Sequence, residues 1–238
     1  YRLLRQDRGG AEQRRGNRER DFVNGMTMPP RITSIKNFFS YATSVDWGLH
    51  MLLNPNFKLA NVEHRVDALG KGAMGLIEYL NSQFDRSVTW KDAAWLVKQW
   101  NGPFVLKGLQ SAEDAKRALD IGATGIMISN HGGRQLESTP APIDCVAAMR
   151  DAVGDKLELI VDGGIRRGTH VIKALAEGAD ACSIGRSYLY GLAAGGQAGV
   201  ERALTLLKSE LERSLALLGV DDVNKLNRSH LKKLSIAL

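Results

Sequence analysis

Four short apolar runs recur in the second half of the sequence, and a segment with helical periodicity follows each of them. The runs begin near residues 103, 125, 157 and 181, so successive starts lie 22, 32 and 24 residues apart. They are bulky and mostly non-alternating, which is typical of parallel strands buried on both faces. Four strand–helix units in series indicate a parallel sheet. The sequence therefore predicts an α/β protein of the (β/α)8 TIM barrel type.

The helical segments are bounded by residues that favour helix ends. Thr89 and Ser111 each precede a helical pattern as a predicted N-cap, whereas Gly178 and Gly219 each follow one. The predicted helices cover residues 93–100, 111–120, 143–153, 169–177 and 197–218. Four strands are only half of the eight that this barrel contains. We therefore expect an incomplete barrel that lacks the first strands.

Composition divides the chain into three predicted parts. Residues 1–16 form an atypical basic tail, residues 17–101 a loop and helical segment, and residues 102–238 the C-terminal half of the barrel with its last helices. Residues 1–20 contain seven arginines and three acidic residues, and so supply +4 of the net charge of +6. A nucleic-acid-binding face would spread basic residues and aromatics over a folded surface. No nucleic-acid partner is therefore expected.

The sequence also limits the compartment. No run approaches the roughly 18 unbroken apolar residues that a membrane span needs, so no span is expected. The two cysteines, Cys145 and Cys182, fit buried thiols in a reducing compartment better than a disulfide framework.

Polar residues and glycines follow every one of the four apolar runs. They are Lys107-Gly108, the segment 129–134, the segment 162–168, and Gly185-Arg186. Because the chemistry of a parallel barrel lies at the carboxyl ends of its strands, we expect these four groups to converge.

The third and fourth strand ends suit a phosphate group. Gly163 and Gly164 would let backbone N–H groups approach an anion, and the helix that opens at Gly168-Thr169 would favour negative charge at its N-terminus. Arg166 and Arg186 add positive charges that stay protonated.

The second strand end suits acid–base chemistry. His131 is followed by two glycines, and histidine exchanges a proton near neutral pH. Arg134, three residues further on, could bind a carboxylate with two hydrogen bonds. The remaining histidines have no comparable setting and are interpreted as surface or core residues; they are His50, His64, His170 and His230.

Two other kinds of site are not supported. The segment 70–75 matches G-x-G-x-x-G. A dinucleotide-binding loop requires a strand before it, however, and a helical pattern precedes this segment. The sequence has no Walker motif and no His/Cys cluster with zinc spacing, so no metal site is predicted.

Several strings together resemble a known family. They are Leu-Lys-Gly at 106–108, Ile-Ser-Asn-His-Gly-Gly-Arg-Gln-Leu at 128–136, Val-Asp-Gly-Gly-Ile-Arg-Arg-Gly at 161–168, Ile-Gly-Arg at 184–186 and Gly-Asn-Arg-Glu-Arg-Asp at 16–21. In this order, across residues 16–236, they resemble the FMN-dependent α-hydroxy-acid dehydrogenases and oxidases. That family includes L-lactate dehydrogenase of the cytochrome type, glycolate oxidase and (S)-mandelate dehydrogenase.

The resemblance implies a role for each matching residue. His131 is the base that removes the hydroxyl proton of an L-2-hydroxy acid such as lactate, while the α-hydrogen leaves to flavin N5, most simply as hydride. A carbanion route would use the same residues. Arg134 binds the substrate carboxylate with support from Arg18. Lys107 lies at the N1/O2 edge of FMN. The remaining implied cofactor-binding residues are Ser129, Asp162, Gly163, Gly164, Arg166, Gly185 and Arg186.

The resemblance also implies partners and a location. The electron acceptor is oxygen, a quinone or a cytochrome, and the family suggests a homo-oligomer, a tetramer. The expected location is the cytoplasm or the cytoplasmic face of the membrane as a peripheral protein.

Two alternatives remain open beside an active 2-hydroxy-acid oxidoreductase. Four strands precede the 16–21 segment in the family, and residues 1–15 do not match the fourth of them. The chain is therefore alternatively a truncated, non-catalytic fragment, or a subunit that needs the missing half in trans. The second alternative is another phosphate-binding barrel enzyme, in which Lys107 forms a Schiff base.

Overall fold

The computed structural model describes residues 35–43, 45, 49, 53, 85, 87–136 and 138–232. The chain divides into two compact units, one of residues 17–86 and one that contains residues 87–238. The basic tail, the 16–21 segment with Arg18, and the G-x-G-x-x-G segment at 70–75 lie outside the described residues. The predicted part boundaries at 16 and 101 stay predictions.

Within the unit of residues 17–86, one helix is described, α1 (Ile35–Thr43). The rings of Phe38 and Phe39 in α1 meet edge to face, with centroids 5.8 Å apart. Thr43 donates its hydroxyl hydrogen bond to the Phe39 carbonyl one turn earlier, at 2.8 Å.

The other unit contains a four-stranded parallel sheet, as the sequence predicts. Its strands are β1 (Val105–Lys107), β2 (Gly125–Ser129), β3 (Glu158–Asp162) and β4 (Ala181–Ser183), in the spatial order 1-2-3-4. The register pairs Lys107 with Met127, Ser129 with Asp162, and Asp162 with Ser183. The carboxyl ends of all four strands therefore meet at one edge of the sheet.

Within the described part of this unit, five helices accompany the strands. They are α2 (Trp90–Trp100), α3 (Ala112–Asp120), α4 (Pro142–Val153), α5 (Gly168–Glu177) and α6 (Arg186–Leu218). Short 3-10 turns cover His131–Gly133, Gly154–Lys156, Val223–Lys225 and Arg228–His230. The predicted caps are confirmed, because Thr89 and Ser111 accept hydrogen bonds from the backbone N–H groups of Asp92 and Asp114.

The last long helix differs from its prediction. It begins at Arg186, directly after β4, and not at residue 197. Gly195 and Gly196 have non-helical backbone angles, with φ of +57° at Gly196, so the helix bends sharply there. The bend folds the two halves onto each other, and a Cβ on Gly199 would lie 1.9 Å from the Gly191 carbonyl oxygen. The expected amphipathic pattern describes only the second half of α6, because the prediction began at residue 197.

One face of the sheet forms the core with the helices. Leu106, Ile126, Ile128, Leu159 and Val161 belong to the main apolar cluster, which also includes buried residues of α3, α4 and α5. Successive side chains of a strand point to opposite faces. The last residues of β1, β2 and β3 follow core residues and therefore point to the opposite face of the sheet. They are Lys107, Ser129 and Asp162.

Both cysteines are free thiols; Cys145 is buried and Cys182 is half-buried. Burial raises the pKa of the Cys182 thiol to about 11 and also raises that of Cys145. Among the described residues, no helix has the length and apolar character that crossing a membrane requires.

Candidate active site

Three side chains from three strands meet at the carboxyl edge of the sheet. Lys107 at the end of β1 places Nζ 3.0 Å from Oδ2 of Asp162 at the end of β3. Ser129 lies on β2 between them and donates its hydroxyl hydrogen bond to the same oxygen at 2.7 Å. The parallel register brings them together, because it places Ser129 directly beside Asp162. We call these three residues the Lys107–Ser129–Asp162 cluster.

The cluster holds Asp162 in its charged form. Burial raises the pKa of this carboxyl. Hydrogen bonds from Ser129 and Lys107, together with the positive charge of Lys107, lower the pKa by more than burial raises it. The net effect is a pKa below the ordinary value. The site therefore presents a fixed carboxylate paired with a fixed ammonium group, and the Lys107 side chain is half exposed at the sheet edge.

His131 lies directly beside this cluster. Its backbone N–H donates a hydrogen bond to Ser129 Oγ at 3.0 Å, and its φ of +58° starts a tight turn that continues through Gly132 and Gly133. The Asn130 side chain accepts a hydrogen bond from the Gly133 N–H at 3.1 Å and so closes the turn. The turn leaves the His131 side chain exposed above the sheet edge.

The loop that follows β3 is held from two helices. Gly163 and Gly164 both have positive φ, which glycine adopts without strain. The Ser187 hydroxyl, at the start of α6, donates a hydrogen bond to the Ile165 carbonyl at 3.0 Å. His170 Nδ1, on α5, lies 3.0 Å from the Gly164 carbonyl oxygen and 3.3 Å from the Arg166 nitrogen.

The N-terminus of α5 does not offer its first donor to a ligand. The Gly168 N–H, which was expected to favour a phosphate, donates a hydrogen bond to the Glu210 carboxylate of α6 at 3.0 Å. A carboxylate of the protein itself therefore binds this first N–H group, and the interpretation of the helix N-terminus as part of a phosphate site stays a prediction.

A cavity of about 390 Å³ opens between the loops after β2 and β3. Its lining residues are Asn130, Gly132, Gly133, Ala141, Pro142, Ile143, Gly163, Gly164, Ile165, His170, Lys173 and Arg186. Three of these side chains can carry positive charge and none is a carboxylate. Arg186 reaches over from the β4 end, since a Cβ on Gly132 would lie 3.3 Å from its Nη2. The cavity can therefore accept an anionic group.

The structure brings together most of the residues that the sequence singled out. Lys107 and Ser129 both contact Asp162, the His131 backbone contacts Ser129, and Arg186 adjoins the His131 turn. Gly163 and Gly164 line the cavity, whereas Arg134, Arg166 and Gly185 are exposed at the same edge. Arg18 lies outside the described residues. The individual roles of all these residues stay predictions.

Sequence reasoning missed His170, Lys173 and Glu210. His170 was interpreted as a surface or core residue, but it lines the cavity and contacts the glycine loop. Its spacing offered an indication, because His170 and Lys173 share one face of a helix that opens at a strand end. Glu210 lies 42 residues from its partner Gly168, and no local pattern indicates that contact.

Comparison with known proteins agrees with this geometry. A family model described as FMN-dependent dehydrogenase matches residues 13–233. The L-lactate dehydrogenase of Caulobacter vibrioides is 40% identical over 216 residues, which are 90% of this chain and 55% of that protein. The pre-mycofactocin synthase of Mycobacterium tuberculosis is 52% identical over 139 residues, which are 58% of this chain and 35% of that protein.

A solved structure, that of the monotopic membrane protein (S)-mandelate dehydrogenase, superimposes with a TM-score of 0.81. It is 35% identical, and the match covers 93% of this chain and 58% of that one. The chain thus spans about half the length of the curated relatives it matches, with the fold of part of their barrel. From the family match, the parallel sheet and the cluster at its carboxyl edge, the chain belongs to the FMN-dependent dehydrogenase family.

Proposed function

We propose that the protein carrying this chain oxidises an L-2-hydroxy acid of the lactate type to the 2-oxo acid. The observation that carries the proposal is the contact of the Lys107–Ser129–Asp162 cluster with His131 at the carboxyl edge of the sheet. The family is FMN-dependent, and its relatives include an L-lactate dehydrogenase.

The residues of the site fit FMN by their chemistry. A flavin needs a cation near the N1 edge of its ring, hydroxyl partners along its ribityl chain and a cationic cradle for its phosphate. Lys107 would supply the cation near N1. Ser129 and Asp162 would bind the hydroxyl groups of the ribityl chain. Arg166 and Arg186, with the backbone of Gly163, Gly164 and Gly185, would supply the cradle. When bound, FMN supplies the two-electron oxidising chemistry that amino-acid side chains lack.

The chain's own residues would bind and deprotonate the substrate. His131 is exposed next to the cluster and would accept the hydroxyl proton of the substrate. Arg134, three residues further on, would hold the substrate carboxylate with two parallel hydrogen bonds, with support from Arg18. A carboxylate fixed in this way turns one face of the α-carbon toward the cofactor, which contributes to the rate through orientation.

A Schiff-base enzyme is less well supported. A lysine forms a Schiff base through its neutral amine. Lys107 is instead engaged in an ion pair with the Asp162 carboxylate at 3.0 Å, so its nitrogen is not free to attack a carbonyl group. Failure of borohydride to trap a carbonyl substrate on Lys107 is therefore the expected result.

A second candidate function comes from the higher identity to pre-mycofactocin synthase, 52% against 40% for the lactate dehydrogenase, over a shorter segment. The second candidate is therefore a reaction of the kind that this synthase catalyses, carried out at the same cofactor site. Parallel assays with L-lactate and with the substrate of that synthase discriminate the two candidates.

The remaining partners are proposed with the function. The electron acceptor would be oxygen, a quinone or a cytochrome, and the assembly a homo-oligomer such as a tetramer. A cytoplasmic or peripheral membrane location is proposed because the similar (S)-mandelate dehydrogenase is described as a monotopic membrane protein. Fractionation of cells, with detection of this chain in the soluble and membrane fractions, tests the location.

The function is tested in two steps. Binding of FMN to the purified chain is measured by quenching of flavin fluorescence. Turnover is then measured with L-lactate and an artificial dye acceptor, in a barrel completed by joining this chain to the N-terminal half of a relative. Formation of pyruvate with loss of dye colour supports the proposal. A flavin-loaded protein that reduces the dye with none of a panel of L-2-hydroxy acids would contradict it.

A further inference from the structure

Helix α5 has no cap of its own. Its N-cap residue is Arg167, whose side chain makes no capping hydrogen bond, whereas α2 and α3 are capped by Thr89 and Ser111. The missing acceptor comes from α6. The Glu210 carboxylate accepts a hydrogen bond from the Gly168 N–H at 3.0 Å through Oε2, and Oε1 lies 2.6 Å from Nη1 of Arg167. One carboxylate thus caps the helix and binds its N-cap residue.

The close approach of two helices makes this contact possible. A Cβ on Gly168 would lie 2.2 Å from the Leu211 nitrogen, so only glycine lets α5 start directly against α6. The bend at Gly195–Gly196 returns the second half of α6 along the first. As a result, Ser187 from the first half and Glu210 from the second half contact the same loop, at its Ile165 carbonyl and its Gly168 N–H.

Glu210 also binds one of two adjacent arginines. Arg166 and Arg167 follow each other in the loop, and the ion pair draws the Arg167 guanidinium toward α6. Hydrogen bonds from Arg167 and Gly168 hold the pKa of the Glu210 carboxyl below its ordinary value, so the carboxylate stays charged. The Arg166 backbone N–H lies 3.3 Å from Nδ1 of His170, a cavity residue.

We propose that Glu210 is a positioning residue for the cofactor phosphate. It fixes the 163–168 loop and holds Arg167 away from the site, so that Gly163, Gly164 and Arg166 meet the phosphate in one arrangement. This inference rests on the proposed function, since it needs a cofactor whose phosphate lies at this loop. The opposite effect is conceivable on charge alone, because removing a carboxylate near an anion site would strengthen anion binding. The sign of the effect therefore tests the proposal.

The experiment compares Glu210→Ala and Glu210→Gln with the unchanged chain. Glu212→Ala is the matched control, because Glu212 is an exposed residue of the same helix whose partner is Lys208 one turn away. Affinities for FMN and for riboflavin, which lacks the phosphate, are measured by fluorescence titration. For Glu210→Ala we expect about fivefold weaker FMN binding, the factor that loss of one capping hydrogen bond of typical strength corresponds to. The affinity of Glu210→Ala for riboflavin should stay unchanged, and so should the affinities of the Glu212→Ala control for both flavins.

The conservative variant separates capping from charge. Glu210→Gln keeps an oxygen that can accept the Gly168 hydrogen bond but loses the ion pair with Arg167, so an intermediate FMN affinity is expected. Tighter FMN binding in Glu210→Ala, or equal losses for FMN and riboflavin, overturns the proposal. The second result would mean that Glu210 only stabilises the fold.

Hydrogen exchange tests, independently of the cofactor, whether Glu210 fixes the 163–168 loop. In Glu210→Ala, the backbone amides of residues 163–168 should exchange faster, while those of β2 should keep their rates. Unchanged exchange at residues 163–168 would show that Glu210 does not fix this loop, whether or not the chain binds flavin. If the exchange changes as expected but neither flavin binds to the chain or to a barrel completed with the N-terminal half of a relative, then the proposed function fails, and the cofactor role of Glu210 fails with it.

Discussion

Lys107 and Asp162 form an ion pair across an intervening strand. Their strands, β1 and β3, are not neighbours in the sheet, and the Lys107 side chain reaches over the end of β2 to place Nζ 3.0 Å from Oδ2 of Asp162. Ser129 of β2 donates to the same oxygen. One carboxylate therefore ties together the ends of three strands and fixes the cation proposed to lie beside the flavin ring.

The first prediction concerns the charge of Asp162. Asp162→Asn should lower the free energy of unfolding at pH 7 by about 1–3 kcal/mol, since it weakens one charged hydrogen bond and leaves an ammonium group without its partner. Because the folded-state pKa of Asp162 lies below its ordinary value near 4, its stabilisation is fully present above about pH 4 and is lost as the pH falls through the folded-state pKa. Urea unfolding at pH 7 and near pH 3 measures both effects.

A matched control uses another carboxylate paired with a cation. Asp155 lies 3.6 Å from Arg150 but is fully exposed, and exposed ion pairs contribute little. Asp155→Asn should therefore leave stability nearly unchanged at both pH values. If Asp162→Asn showed the same small change, the contribution of the Lys107–Ser129–Asp162 cluster to stability would be disproved.

The sheet and its active edge could be predicted because local sequence determines them. Each strand is a buried apolar run, and the polar residues that directly follow it must lie at the carboxyl edge of a parallel sheet. This reasoning placed Lys107, Ser129, His131 and Asp162 together without any knowledge of tertiary contacts. The caps at Thr89 and Ser111 were predictable for the same reason, since a cap and its N–H donor are three residues apart.

The contacts of α6 could not be predicted because they depend on distant parts of the chain. The sequence 191–199 contains four glycines, which argues against a helix by propensity, yet the glycines allow the two halves of α6 to touch. The position of that turn decides that Glu210 reaches Gly168. Helix propensity therefore gave a start at residue 197, whereas packing places it at Arg186.

The second prediction concerns the contact between α5 and α6. Gly168→Ala should destabilise the chain by about 3 kcal/mol or more, because the new Cβ would lie 2.2 Å from backbone that cannot move independently of its helix. Thr169→Ala, an exposed change at the next residue, should cost less than about 0.5 kcal/mol. Thermal and urea unfolding of both variants provide the comparison. Equal stability of the two would mean that the helices do not meet at Gly168.

The third prediction concerns the proposed phosphate cradle. Arg186→Ala should weaken FMN binding by about 1.5–3 kcal/mol, the range for a hydrogen bond to a charged group, and should affect riboflavin binding much less. Arg202→Ala is the control, since Arg202 is an exposed arginine of the same helix outside the cavity. Fluorescence titration with FMN and riboflavin distinguishes the two variants. An equal loss of affinity for both flavins would exclude a phosphate role for Arg186.

The fourth prediction separates the base from the carboxylate-binding residue, and it needs a barrel completed by joining this chain to the N-terminal half of a relative. In that protein, His131→Gln should lower turnover of a 2-hydroxy acid by about 10²–10⁴-fold, the usual cost of losing a general base. Bound flavin should stay, because the predicted role of His131 concerns the substrate. Arg134→Lys should instead raise KM more than it lowers kcat, since an ammonium group cannot reproduce the two parallel hydrogen bonds to a carboxylate.

Steady-state kinetics and the flavin absorbance of each purified variant provide both readouts for this fourth prediction. The pH profile adds a third, because the limb that reflects deprotonation of the base should disappear in His131→Gln and persist in Arg134→Lys. His230→Gln is the control histidine, since His230 lies in a 3-10 turn where it contacts Asn227, remote in sequence from the strand ends. If His131→Gln kept its activity and its pH profile, another group would have to be the base. The carboxylate role of Arg134 would then rest on its own change in KM.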